Sequence, residues 1–190
     1  MDLHSPQVQG FFKIPVDNLM AMPILCEAIK TQHDLKNLVV VSPDAGFAKK
    51  ARKYANYLRC PVVIGDKVRY GHDEKARVLE VIGQVEGKDA VIVDDFSISG
   101  RTIVSMARRI FACLTHGLFT QEGLCEIESS PIEKLIVTDT VARELHCSVK
   151  ILTVSVAPLF AHIVRCIHER EAVSSLFDKV PEKLINIFLE

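Results

Sequence analysis

At 190 residues, 48% of them hydrophobic and with a formal net charge of −1, the chain has material for one full domain and at most a small appendage. That charge balance supplies no field to gather nucleic acid. No apolar run approaches the roughly 20 residues that cross a bilayer, and the start, Met1-Asp2-Leu3-His4, has no signal-peptide character.

Phe11 and Phe12 lead into Lys13-Ile14-Pro15, an extended segment because the residue before a proline avoids the helical region. Asp17 or Asn18 can cap a helix over residues 19–30. Residues 38–41 form a strand of continuous apolar residues, closed by the turn Ser42-Pro43-Asp44-Ala45-Gly46. Ala48, Ala51, Tyr54, Ala55 and Leu58 then fall on one helical stripe, and Lys49, Lys50, Arg52 and Lys53 are expected on its solvated face. Residues 61–64 read as a short strand. Residues 65–75, polar, charged and bounded by glycines, are expected as a mobile loop. Strands follow at 77–82 and 90–93, then a helix at 102–109 and a strand at 110–114. A parallel crossover takes a dozen residues or more, so that helix is short for its task. Arg108 and Arg109 are assigned to its solvated face or to the neighbourhood of an anion.

Residues 117–128 read as a helix broken by Ser129-Ser130-Pro131. Strands at 135–137 and 149–154 precede a strong helix that starts near Pro158, with Leu159, Ile163 and Ile167 at spacing four. Leu184, Ile185, Ile187, Phe188 and Leu189 make an apolar tail that docks in the core or meets another copy. Strands alternating with helices imply an α/β fold with a mainly parallel, twisted sheet flanked by helices. The cysteines Cys26, Cys60, Cys113, Cys125, Cys147 and Cys166 form no C-x-x-C pair, so they read as reduced core thiols of a cytosolic protein.

The chemistry concentrates in Val91-Ile92-Val93-Asp94-Asp95-Phe96-Ser97-Ile98-Ser99-Gly100-Arg101-Thr102. A buried strand runs into two carboxylates, then into small and hydroxylated residues where a helix begins. A helix start offers unpaired N–H groups and a positive dipole end, which suit phosphate. The aspartates would repel phosphate and make sense facing sugar hydroxyls or magnesium. The expected ligand is a phosphorylated sugar. Asp44 also lies just past a strand end, so its loop and the Asp94/Asp95 loop can converge on one ligand. His116 reads equally as a ligand contact and as a strand-end histidine satisfied by backbone.

Four stretches together resemble one family. Residues 2–17, Asp2-Leu3-His4-Ser5-Pro6-Gln7-Val8-Gln9-Gly10-Phe11-Phe12-Lys13-Ile14-Pro15-Val16-Asp17, resemble the signature of ribose-phosphate pyrophosphokinases. Val40-Val41-Ser42-Pro43-Asp44-Ala45-Gly46 and Leu114-Thr115-His116-Gly117-Leu118-Phe119 resemble two further family segments. The acidic loop resembles one shared with type I phosphoribosyltransferases. The resemblance implies a type I phosphoribosyltransferase-like fold. Residues 1–17 would close an absent first half, residues 18–177 would form the second half, and residues 178–190 an apolar tail.

The implied reaction moves the β,γ-diphosphate of ATP onto the C1 hydroxyl of ribose 5-phosphate, with Mg²⁺, in a cytoplasmic enzyme. The implied assembly is a homo-oligomer or a complex with a full-length synthetase, with no nucleic-acid or membrane partner. By resemblance, His4 and Asp44 belong to the metal side, and Asp94 and Asp95 hold the ribose hydroxyls. Ser97, Ser99, Gly100, Arg101 and Thr102 form the phosphate loop. Lys67 and Arg69 are the cations of the catalytic loop. Phe47, Ile98 and Arg101 depart from the family pattern, which has glycine, aspartate and glycine there. The competing readings are a phosphoribosyltransferase and a non-catalytic regulatory homologue of the synthetase.

Overall fold

Continuous runs of β-branched and apolar residues make the central strands, as expected of strands covered on both faces. The computed structural model describes residues 1–32, 35–68, 77–96, 107–142 and 148–188. Seven strands form one sheet in the order β3-β2-β1-β4-β5-β6-β7. They are β1 (Leu38–Ser42), β2 (Val62–Val68), β3 (Arg77–Ile82), β4 (Asp89–Asp94), β5 (Arg109–His116), β6 (Ile132–Thr138) and β7 (Ile151–Val154). All neighbours run parallel except β3, which returns antiparallel along β2 with an irregularity between Asp66 and Lys67.

Alternate residues of each strand feed two cores. On one face Val40, Val91, Phe111, Cys113 and Ile136 pack against α1 (Met22–Gln32), α2 (Ala48–Leu58), α4 (Ala157–His168) and α5 (Glu182–Phe188). On the other, Val39, Ile92, Ala112 and Leu135 pack with Ile127 of α3 (Gln121–Ser129). Gly83, just past β3, has a φ of +120°, and a Cβ there would meet Val63 Cγ2 at 2.9 Å, so the close approach of the chain to β2 requires glycine. Among the described residues, no helix is long and apolar enough to cross a membrane.

The α/β architecture and the mainly parallel sheet match expectation, with several local differences. The helix expected from residue 19 starts at Met22. Asn18 does not cap it, because its Oδ1 accepts the N–H of Leu3 at 3.0 Å. Instead the carboxylate of Asp2, remote in sequence, accepts the N–H of Ala21 at 2.8 Å. Ala21 in turn gives its carbonyl to the N–H of Leu25 at 3.0 Å, the first bond of the helix. A short 3₁₀ helix, Pro6–Phe11, precedes the Lys13-Ile14-Pro15 segment and ends at Phe12, whose backbone is extended.

The polar stretch from Gly65 does not start a loop. Gly65 to Val68 continue β2, with Gly65 opposite Val81, because β3 offers them a hydrogen-bonding partner. The remainder of that expected loop, 69–75, lies outside the described residues, as do 102–106 of the expected helix. The end of that helix is overturned: Arg109 begins β5 opposite Asp89. Residues 95–108 therefore span the crossover, which meets the usual minimum for a parallel connection.

Spacing four carries a helical stripe round by about 40° per step. α4 accordingly buries Leu159, Ile163 and Cys166, and leaves Ile167 56% exposed. The tail forms α5, and Leu184 docks in the first core with Ile185 packed beside it. Of the cysteines, Cys26, Cys113 and Cys166 are buried as core thiols, Cys60 is half-buried and Cys125 is exposed. Cys147 lies outside the described residues.

Candidate functional site

β1 and β4 are parallel neighbours, with Leu38 opposite Asp89 and Val41 opposite Ile92. From β1 the chain moves outward to β2, and from β4 it moves the other way to β5. The boundary between β1 and β4 is thus a topological switch point, the place where open α/β sheets hold ligands. Asp44 follows β1 there, while Asp94 and Asp95 end β4. Both acidic loops leave the same end of these neighbouring strands.

Each acid is held in its own way. Asp44 is half-buried, and its Oδ1 accepts the N–H of Phe47 at 3.0 Å, which starts α2. Ser42 Oγ donates to the carbonyl of Asp44 at 2.7 Å. A Cβ on Gly46 would come within 3.2 Å of the Asp44 carboxylate, so the turn is tight around it. Asp94 is half-buried, and its Oδ1 accepts the N–H of Asp95 at 2.7 Å. Asp95 is 4% exposed, and its carbonyl accepts the N–H of His116 at 2.8 Å, which ties the end of β4 to the end of β5.

The Asp95 carboxylate is the centre of the cluster. Lys50 Nζ lies 2.8 Å from each of its oxygens, and His4 Nδ1 lies 3.2 Å from Oδ2. An ionised carboxylate only accepts, so His4 Nδ1 carries the hydrogen of that bond. The His4 ring meets Phe96 edge-on, with centroids 5.0 Å apart. Its side chain is 73% exposed, so the far edge of the imidazole faces outward from the site. The N-terminal strap reaches this place because Asp2 is buried beneath it. Asp2 Oδ2 accepts both the N–H of Ala21 and the hydroxyl of Thr115, each at 2.8 Å.

His4, Asp44, Asp94 and Asp95 therefore lie at one end of the central strands. Lys67 is a residue of β2, paired with Val78. Arg69, Ser97, Ser99, Gly100, Arg101 and Thr102 lie outside the described residues, as does Ile98. Two expectations fail. Lys50 is not on a solvated face but on Asp95. It shares the inner side of α2 with Phe47, three residues before it, and Tyr54, four after it, and that spacing was the available signal. Arg108 is far from the acids: its guanidinium grips Asp89 through bonds of 2.9 and 2.7 Å at the opposite end of β4. Arg109 pairs with Glu133 at 2.8 Å. The second reading of His116 holds: Nδ1 meets Thr140 Oγ1 at 2.8 Å, and Nε2 donates to the carbonyl of Asp2 at 3.2 Å. Asp2 and Thr115 were also missed, since nothing local in a sequence marks a bond between residues 113 positions apart.

No group of three or more His, Cys, Asp or Glu side chains that could hold a metal occurs among the described residues. A magnesium ion does not need one. It ordinarily takes one or two carboxylates and completes its shell with water and substrate phosphates.

The family model described as the phosphoribosyl synthetase-associated domain matches residues 71–178. The chain belongs to that family. The phosphoribosyl transferase domain model matches residues 20–113 of this synthetase-family chain. The chain is 44% identical to a ribose-phosphate pyrophosphokinase of Aquifex aeolicus over 93% of its own length and 59% of the relative's. It is 40% identical to the one from Bacillus caldolyticus, over 94% and 59%. The crystal structure of phosphoribosylpyrophosphate synthetase from Mycobacterium smegmatis superposes with a TM-score of 0.76 at 30% identity, covering 89% of this chain and 57% of that one. The synthetase-family chain thus spans about three-fifths of the curated relatives it matches.

Proposed function

We propose that this chain is a ribose-phosphate pyrophosphokinase or its C-terminal half. The reaction transfers diphosphate from ATP to ribose 5-phosphate. The C1 hydroxyl oxygen forms a bond to the β-phosphorus, the bond from that phosphorus to the α–β bridging oxygen breaks, AMP leaves, and the hydroxyl proton passes to solvent. The observation that supports this reading is the placement of Asp44, Asp94 and Asp95 at the carboxyl ends of β1 and β4, the two strands that flank the switch point of the sheet. Carboxylates there suit the hydroxyls of a pentose and a phosphate-bound cation, and neither task suits nucleic acid.

Asp94 and Asp95 are assigned to the ribose hydroxyls, and the loop of Ser97, Ser99, Gly100, Arg101 and Thr102 to the 5-phosphate. His4 and Asp44 are assigned to the metal side. When Mg²⁺ is bound, it neutralises the phosphate charge. Lys67 and Arg69 are assigned to the charge that builds on the transferring group. Residues 1–17 are assigned to the signature segment that closes the first half, 18–177 to the phosphoribosyltransferase-like domain and 178–190 to an apolar tail. Assembly with further copies, or with a full-length synthetase, belongs to the same proposal, as does a cytoplasmic location.

The test is AMP release from ATP and Mg²⁺, with and without ribose 5-phosphate. Release that depends on ribose 5-phosphate supports the reading. Pyrophosphate release from phosphoribosyl pyrophosphate and a base, with no AMP formed, replaces it with a phosphoribosyltransferase. Sugar-phosphate binding with no turnover of either kind replaces it with a regulatory homologue.

A further inference from the structure

A buried carboxylate stays ionised only where a partner replaces water. For Asp95 that partner is Lys50, whose Nζ lies 2.8 Å from both oxygens, while the Lys50 side chain is 29% exposed and that of Asp95 6%. The ammonium also lies 5.2 Å from the centroid of the Phe47 ring. A lysine held by two oxygens and an aromatic face is not a surface side chain that happens to reach inward.

The acceptor sites of Asp95 can be counted. An ionised carboxylate has about four lone-pair positions, two on each oxygen. Lys50 takes one from Oδ1 and one from Oδ2, and His4 takes another from Oδ2. Among the described residues no donor takes the remaining position, on Oδ1, and it can receive a hydrogen-bond donor. A metal cation arriving at the same oxygen would face the ammonium charge, whereas a neutral hydroxyl would not.

We propose that Lys50 is a positioning residue of the site. It holds the Asp95 carboxylate fixed through both oxygens, so that an acceptor position is left for a hydroxyl of the ligand and a second cation is turned away. The identity of that hydroxyl, a pentose hydroxyl of ribose 5-phosphate, rests on the function proposed above; the Lys50–Asp95 hold does not.

The experiment compares wild type, Lys50→Met, Lys50→Arg, Asp95→Asn and the double variant Lys50→Met with Asp95→Asn. Urea denaturation reads the pair, and calorimetric titration with ribose 5-phosphate reads the site. Lys50→Met should weaken binding at least about tenfold, since it leaves a buried charge unpaired. Lys50→Arg should restore binding to within about threefold of wild type, because a guanidinium can also span both oxygens. The double variant should recover the urea midpoint lost by Lys50→Met and still fail to bind, a separation that a merely structural lysine would not produce. Unchanged binding in Lys50→Met overturns the proposal, and so do midpoint losses that simply add in the double variant. Wild type that binds no ribose 5-phosphate overturns the functional reading and the ligand half of this proposal, while the midpoints still decide the pair.

Discussion

Two buried donors, the N–H of Ala21 and the hydroxyl of Thr115, depend on the same oxygen of Asp2. Asp2→Ala strands both and should cost about 2–6 kcal/mol in a urea titration, at about 1–3 kcal/mol for each buried group left unpaired. Asp2→Asn can place its amide oxygen in the same spot and should lose about 1 kcal/mol or less. Equal losses in the two variants would remove the hydrogen bonds from the explanation. His4 is two residues along the same strap, so Asp2→Ala should also loosen the contact with Asp95. For the transfer step, Lys67→Ala and Arg69→Ala should each lower turnover about 100-fold or more and change the KM for ribose 5-phosphate far less, as expected of groups that meet charge only in the transition state. Turnover equal to wild type in both would refute that assignment. The acids of this site were legible from sequence because strand-then-carboxylate is a local pattern. Asp2, Thr115 and Lys50 were not, because what matters about them is a partner 19, 113 or 45 positions away.

At the scale of elements, helix ends give predictions of opposite sign. α2 stops at Arg59, which sits in the left-handed region at φ 55° and ψ 43°, with its N–H turned back to the carbonyls of Ala55 and Asn56. A side chain there costs about 1–2 kcal/mol, which glycine avoids at some loss of unfolded-state restraint. Arg59→Gly should therefore stabilise by up to about 1 kcal/mol in thermal or urea unfolding. α3 begins at Thr120, whose hydroxyl oxygen accepts the N–H of Gly123 at 3.1 Å. Thr120→Ala should destabilise by about 1 kcal/mol. A loss of stability in Arg59→Gly, or none in Thr120→Ala, would mean these ends are held by other contacts. The elements themselves were readable wherever composition decided them, as in the runs of β1, β4, β5 and β6. They were misjudged where a distant neighbour decided them. Gly65 to Val68 extend β2 only because β3 lies alongside, and α1 starts at Met22 because Asp2 satisfies the N–H that precedes it.

Across the whole molecule, the two faces of the sheet differ in what they bury. The core under α1 and α2 encloses Cys26, Tyr54 and Cys113, with Tyr57 and Cys60 packed at its margin, while the core on the other face contains none of these groups. Burial pushes the pKa values of Cys26, Tyr54 and Cys113 well above their ordinary values, Cys26 with a further contribution from nearby Cys113. Burial also pushes the Cys60 thiol up to about 11, and burial together with the bond to Glu27 raises Tyr57. The sign follows from linkage. The unfolded chain sheds these protons first, from about pH 9 for a thiol and about pH 10 for a phenol. Below that range their contribution to stability is fully present. Above it, base draws the equilibrium toward the unfolded chain until the folded values are passed. Each fully buried group lowers stability by at most about 1.4 kcal/mol per pH unit in that window. Urea midpoints should therefore hold steady from about pH 7 to about pH 8.5 and fall steeply by about pH 10.5. Cys113→Ala should be less stable at neutral pH, because it opens a gap in the core, yet its midpoint should fall less steeply with added base. A Cys113→Ala profile parallel to that of wild type would show that the thiol is not withheld from solvent and that this face of the sheet is open to water.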